Sequence, residues 1–174
     1  MRHQPGVLNG IVKAIDTQGR LLVEFQSMPD APHSAWAPVA IPMAGNARGM
    51  FFMPEIDDEV LVAFLYGKFD QPFVIGALWN GVDVPPETDP KTRTIKTFSG
   101  HLVQFVDGDG KQKITIRSSS GHEIVLDDSP GGQLVGITTN GRLSLVMDDK
   151  AGGSIQLSGG GRVLTMRAGT IQIT

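Results

Sequence analysis

Few side chains in this 174-residue sequence are of a type that ligates a metal or moves a proton: four histidines, and aspartates that come in close pairs. There is no cysteine, which removes disulfides, thiolate zinc sites and thiol nucleophiles together. Asp107 and Asp109, in VDGDG, open like a calcium loop, but no acidic residue stands twelve positions on from Asp107, and the glycines are those of a turn. Asp127 with Asp128, and Asp148 with Asp149, have the makings of a glycosidase pair, in which one carboxyl protonates the leaving oxygen and the other attacks or activates water. Both pairs hold equivalent places in a repeat, and a recurring position reads as a strand-end turn rather than as one active site. His101 and His122 directly follow a glycine, as do Arg142 and Arg162, so one outward polar slot accounts for all four. The run Asp57, Asp58, Glu59 reads as a solvated turn that opens a strand. These residues predict no catalytic group, no metal site and no cofactor.

The composition narrows the classes further. A net charge of -3 and a pI near 5.7 lack the clustered basic face that nucleic acid requires. The opening MRHQPGVLNGIV has no apolar core of a secretory signal, and no apolar run reaches membrane-spanning length, so the expectation is assembly in the cytoplasm without a signal peptide. Of 22 glycines, 14 lie at or after Gly100, whereas nine of eleven aromatics precede residue 80. A first part with a bulky core gives way to a second whose interior must be narrow and aliphatic.

The elements that position these residues read as strands throughout. Gly10 to Asp16, Leu21 to Gln26, Ala35 to Ile41, Glu59 to Tyr66 and Pro72 to Leu78 are strand candidates, with Gly19, the Pro29 to Pro32 loop, and Gly67, Asp70 and Pro72 as punctuation. Five short strands without an amphipathic helix suit a closed barrel of the oligonucleotide/oligosaccharide-binding (OB) type over residues 1–81. In Glu59 to Tyr66, Val60, Val62, Phe64 and Tyr66 alternate with Leu61, Ala63 and Leu65, so both faces want burial. The expectation is that Val62 and Phe64 fill the barrel and that Leu61 or Leu65 lies near a subunit interface. The apolar patch Met50, Phe51, Phe52, Met53 reads either as a loop over the barrel mouth or as a subunit or partner contact.

Residues 82–98 read as a linker with three prolines, in which Lys91, Arg93 and Lys96 are a solvated connector rather than a basic patch. Residues 99–174 repeat: SGHLVQFVD, SGHEIVLDD, NGRLSLVMDD and GGRVLTMRA place glycines at 100, 121, 141 and 161. Each unit adds a second strand, seen in Ile114 and Ile116, Val135 and Ile137, Ile155 and Leu157, and Ile171 and Ile173. Period-two alternation gives an inward row of Val103, Phe105, Ile124, Leu126, Leu145, Met147, Leu164 and Met166, with the third unit offset by one residue. Four such units cannot bury this row alone. A single-chain solenoid is one solution; three chains wound about one axis are the other. The ending TIQIT is an uncapped apolar strand, which favours the homotrimer with a separate protein over Ile171, Ile173 and Thr174. The fold class expected is therefore all-β, an OB barrel followed by an intertwined repetitive β-helix or β-prism.

PMAGNARG followed by PEIDDEVLVAF, QPFVIGALWNG, a proline connector and SGHEIVLDD resemble, in that order, the phage baseplate assembly protein V and the spike part of the VgrG proteins of type VI secretion. Related spikes occur in extracellular contractile injection systems. The resemblance runs from about Val7 to the C-terminus. Asp57 stands where the family usually has glycine in its PEIGDEV turn, and Lys68 where an acidic residue commonly follows the glycine. The resemblance implies a homotrimeric structural spike, not an enzyme, that links hub and inner tube to the tip and meets a membrane only in transient piercing. It implies a separate hub protein at the barrel, for which Leu61, Leu65, Met50 and Phe51 are the contact candidates. Family tips carry a metal on a His-x-His pair or accept a PAAR-repeat tip protein. His3, His33, His101 and His122 are never one residue apart, which points to the PAAR-type partner. The competing readings are a nucleic-acid- or sugar-binding barrel and a polysaccharide-cleaving β-helix.

Overall fold

The computed structural model describes residues 6–30 and 32–174, so His3 and part of the Pro29 to Pro32 loop lie outside the described residues. The chain divides into two compact units, Met1–Val84 and Pro85–Thr174. In the first, β1 (Val7–Ile15), β2 (Leu21–Glu24), β5 (Glu59–Phe64) and β6 (Pro72–Ala77) form an antiparallel sheet ordered β2-β1-β5-β6. Between β2 and β5 lies a two-residue hairpin, β3 (Ala44–Gly45) with β4 (Arg48–Gly49).

The expected fifth strand, Ala35 to Ile41, is not a regular strand. It is an extended segment that closes the sheet through single bridges, Leu21 with Ala37 on one side and Val39 with Val74 on the other. Pro38 explains the interruption, because a proline offers a carbonyl but no N–H. Its carbonyl accepts the Val74 N–H at 3.0 Å, and the next donor back to Val74 is Ala40, at 2.8 Å. The barrel is thus joined from β6 round to β2 with a broken ladder.

Alternation on β5 sends Val60, Val62 and Phe64 into the core and leaves Leu61 and Ala63 on the outer face. Val12, Leu21, Val23, Phe25, Ala37 and Val74 complete that core, where Phe25, Phe64 and Phe69 pack with ring centroids 5.3 to 5.8 Å apart. Gly10 is what lets β1 cross β2 so closely: a Cβ there would stand 2.6 Å from both the Glu24 carbonyl oxygen and Val23 Cγ1. Tyr66 does not continue the inward alternation expected of it. β5 ends at Phe64 in a 3-10 turn over Leu65–Gly67, where Tyr66 takes φ of 51° and stands 82% exposed.

The second unit is one nine-stranded antiparallel sheet in which every strand pairs with its sequence neighbour. Its strands are β7 (Thr92–Lys96), β8 (Leu102–Gly108), β9 (Lys111–Arg117), β10 (Glu123–Asp127), β11 (Leu134–Thr138), β12 (Ser144–Asp148), β13 (Ser154–Gly159), β14 (Arg162–Arg167) and β15 (Thr170–Ile173). The linker expectation fails over Thr92–Lys96. These residues form β7, because TRTIK holds three β-branched residues in five and meets β8 in register, Ile95 opposite Val103. The sheet is an open meander within the chain, so the single-chain solenoid is not what forms.

The turns on one side of this sheet repeat in detail. Thr97, Ser118 and Thr139 each donate a backbone N–H to the carbonyl four residues on, and each hydroxyl accepts the N–H of that same residue. The period by this measure is 21 residues twice over, and the left-handed positions are Gly100, Gly121 and Arg142. Arg142 therefore matches the glycine slot, not the histidine slot expected of it, and Leu143 is the equivalent of His101 and His122. The fourth turn differs: Gly160 and Gly161, both at positive φ, close a two-residue hairpin between Gly159 and Arg162.

Candidate functional site: two aliphatic rows on one sheet face

A strand turns alternate side chains to one face, and the antiparallel registers of this sheet align them from strand to strand. One row runs Ile95, Val103, Ile116, Ile124, Ile137, Leu145, Leu157, Leu164, Ile173 across all nine strands. The second runs Arg93, Phe105, Ile114, Leu126, Val135, Met147, Ile155, Met166, Ile171. All eight residues expected to point inward lie in these rows. Ile95 was missed because it stood inside the supposed linker. The rows continue across the offset in the third unit, since Leu145 and Met147 keep their register.

The opposite face differs. Its middle row is Thr94, Gln104, Thr115, Val125, Gly136, Val146, Gln156, Thr165, Gln172, flanked by the cross-strand pairs Lys113 with Asp127 at 2.9 Å and Arg117 with Glu123 at 3.9 Å. The aliphatic face is the one left uncovered: twelve of its apolar side chains are exposed, from 37% at Ile124 to 73% at Ile173, while Val103, Ile114, Val135, Leu145 and Leu164 are half-buried. A continuous apolar face of this length is a contact surface by its chemistry. Arg93 is the one charged member of the rows, and its guanidinium lies 2.6 Å from the Asp107 carboxylate.

The candidate acid–base residues are engaged elsewhere. Asp109 pairs with Lys91 at 3.1 Å. Asp127 Oδ1 accepts the Ser129 N–H at 3.0 Å, and Asp148 Oδ1 accepts the Lys150 N–H at 2.8 Å, so both cap strand-end turns. The Lys113 ammonium, then Ser129, hold the Asp127 carboxyl down at about 2. His101 Nδ1 and His122 Nδ1 accept the backbone N–H of Ser119 and Asn140, at 3.2 and 3.3 Å. Among the described residues no group of three or more His, Cys, Asp or Glu side chains converges as a metal site.

On the barrel, Leu61 and Leu65 face outward, and Met50 and Phe51 lie just beyond the β3–β4 hairpin with Phe51 80% exposed. Met53 alone of that patch packs against the barrel core. At the far end of the sheet, Thr174 exchanges both backbone hydrogen bonds with Val163, at 2.9 and 3.0 Å. The outer edge of β15, carrying Ile171 and Ile173, has no strand partner among the described residues.

Residues 5–79 match the family described as the type VI secretion system/phage-baseplate injector OB domain. Over these residues the chain is similar to the OB domain shared by type VI secretion and phage-baseplate injector proteins. It is similar to the actin cross-linking toxin VgrG1 of Vibrio cholerae, 32% identical over 111 residues that cover 57% of this chain and 10% of that protein. The type VI secretion system spike protein VgrG4b of Pseudomonas aeruginosa is 33% identical over 103 residues, 57% of this chain and 12% of that protein. The spike protein VgrG3 of Vibrio cholerae is 32% identical over 111 residues, 57% and 11% of the two chains. The chain spans about a tenth of the length of these curated relatives. Within the matched residues, the departure at Asp57 has a visible form. Asp57 adopts the glycine conformation, φ 74°, and its carboxylate lies 3.3 Å from Lys13.

Proposed function

We propose that the chain is the central spike of a contractile injection machine or phage tail baseplate, a homotrimer whose three repeat sheets turn their aliphatic rows toward a common axis. The observation that carries this reading is the pair of aliphatic rows, continuous over nine strands and uncovered in the single chain. The strand length supports three copies. A five-residue strand such as β10, β11 or β12 is about 17 Å long at ~3.4 Å per residue. Three walls of that width meet with each wall about 5 Å from the axis, half the ~10 Å spacing of packed sheets, so side chains fill the interior and leave no channel. Two sheets face to face leave the rows open to water along both long sides.

In this reading the spike is structural and has no catalytic residue or cofactor. A separate hub protein contacts the barrel, with Leu61, Leu65, Met50 and Phe51 the surface offered. A PAAR-type tip protein covers Ile171, Ile173 and Thr174, where the sheet edge is open. The particle assembles in the cytoplasm and touches a membrane only while piercing it. Among the described residues no helix is long and apolar enough to cross one. The carbohydrate-binding or polysaccharide-cleaving alternative is not supported: the matched relatives are named as spike proteins and a toxin of the same family, and the aspartates it would use are turn caps.

Light scattering tests the trimer. The expected mass is three times the 18.6 kDa of the chain. A monodisperse monomer at micromolar concentration sinks the proposal, and a dimer replaces it with the two-sheet arrangement. Replacing Leu126 and Leu145 with Asp is expected to abolish the trimer while the barrel stays folded.

A further inference from the structure

The turn-bearing side of the repeat sheet has a feature that the spike reading does not use. His101 Nδ1 accepts the N–H of Ser119, and His122 Nδ1 accepts the N–H of Asn140, the same contact 18 residues ahead in each case. Ser119 and Asn140 are the second residues of successive turns, and no other hydrogen bond of these two amides is present among the described residues. The acceptor therefore laces one turn to the next. In the third turn Leu143 takes the histidine position and carries no acceptor. It packs instead on Gly159, where a Cβ would stand 2.7 Å from Leu143 Cδ2.

An imidazole accepts through Nδ1 only while that nitrogen is unprotonated. Protonation puts a hydrogen on the lone pair and turns the acceptor into a second donor aimed at an N–H. We propose that His101 and His122 form a pH-dependent seam, which ties the first three turns together when the rings are neutral and releases them on acidification. At the strand ends that adjoin these turns the charged side chains are Lys96, Arg117 and Glu123, with Arg142 in the third turn, and Arg117 and Glu123 lie 3.9 Å apart. The same geometry opposes a metal at Nε2, since a ring that accepts at Nδ1 carries its proton on Nε2.

The seam lies within one chain, so its test does not depend on the trimer. Hydrogen exchange of the Ser119 and Asn140 amides, corrected for intrinsic rates, is compared at pH 8 and pH 5 in the full chain and in the His101→Asn, His122→Asn double variant. Asn places Oδ1 where Nδ1 stood and does not titrate. Protection of both amides is expected to fall about fivefold at acid pH in the parent chain, the equivalent of one ordinary hydrogen bond, and to stay level in the variant. No change in the parent, or an equal fall in both, overturns the proposal. Should the variant fail to fold, nitrogen NMR of the parent histidines at pH 8 decides instead: a proton on Nδ1 rather than on Nε2 overturns it.

Discussion

Ser34 stands in for a missing strand partner of Val23: its hydroxyl accepts the Val23 N–H at 3.0 Å, while its own N–H donates to the Val23 carbonyl at 2.8 Å. Ser34 is 5% exposed and Val23 is fully buried. Ser34→Ala leaves the Val23 donor dry and unpaired, at a cost of about 1 to 3 kcal/mol. Denaturant unfolding followed in the barrel is expected to show that loss. A change within error would mean that water replaces the hydroxyl.

Asp127 predicts an acid limb of stability in the repeat sheet. Its carboxyl is held at about 2 in the fold, chiefly by the Lys113 ammonium, and takes up a proton near 3.8 when freed. A lowered folded value means that the contribution is fully present above about pH 4 and is lost as pH falls through 2. Thermal midpoints recorded from pH 7 down to pH 2 are expected to fall less steeply below pH 4 in Asp127→Asn than in the parent. Parallel curves would assign the acid limb to other groups.

Arg142 holds φ of 63° at the place where the first two turns have Gly100 and Gly121. An L-residue in that region costs roughly 1 to 2 kcal/mol, partly offset because glycine loses more freedom on folding. Arg142→Gly is expected to stabilise the third turn by a few tenths to about 1 kcal/mol, read as a rise in thermal midpoint. A fall would show that the arginine side chain contributes more than its backbone costs.

Arg142 also marks where the sequence misleads. Counting from glycine to glycine aligns it with His101 and His122, and only the carbonyl of Leu143, bonded back to Thr139, shows which residue closes the turn. The rows were legible because apolar alternation survives a one-residue slip in the turn. Leu145 and Met147 stay in register with Ile137 and Val135. Ile95 was hidden by three nearby prolines and by charges on either side, although its pairing with Val103 costs the sequence nothing. In the barrel the core residues Val60, Val62 and Phe64 followed from period two. The fifth edge did not, since Pro38 supplies a carbonyl to Val74 without offering the N–H that a strand pattern assumes.

The nearest-neighbour pairing of the repeat sheet has a kinetic side. Each of its ladders closes over a short loop, so contact order is low and the hairpins can form one after another as the chain is synthesised. Barrel closure is different, because the bridge from Val39 to Val74 waits for β1, β2 and β5 to be in place. Search over long separations is thereby concentrated in the first unit. The second reaches its local structure early and exposes its aliphatic rows early too, and while those rows stand uncovered this protein is open to aggregation.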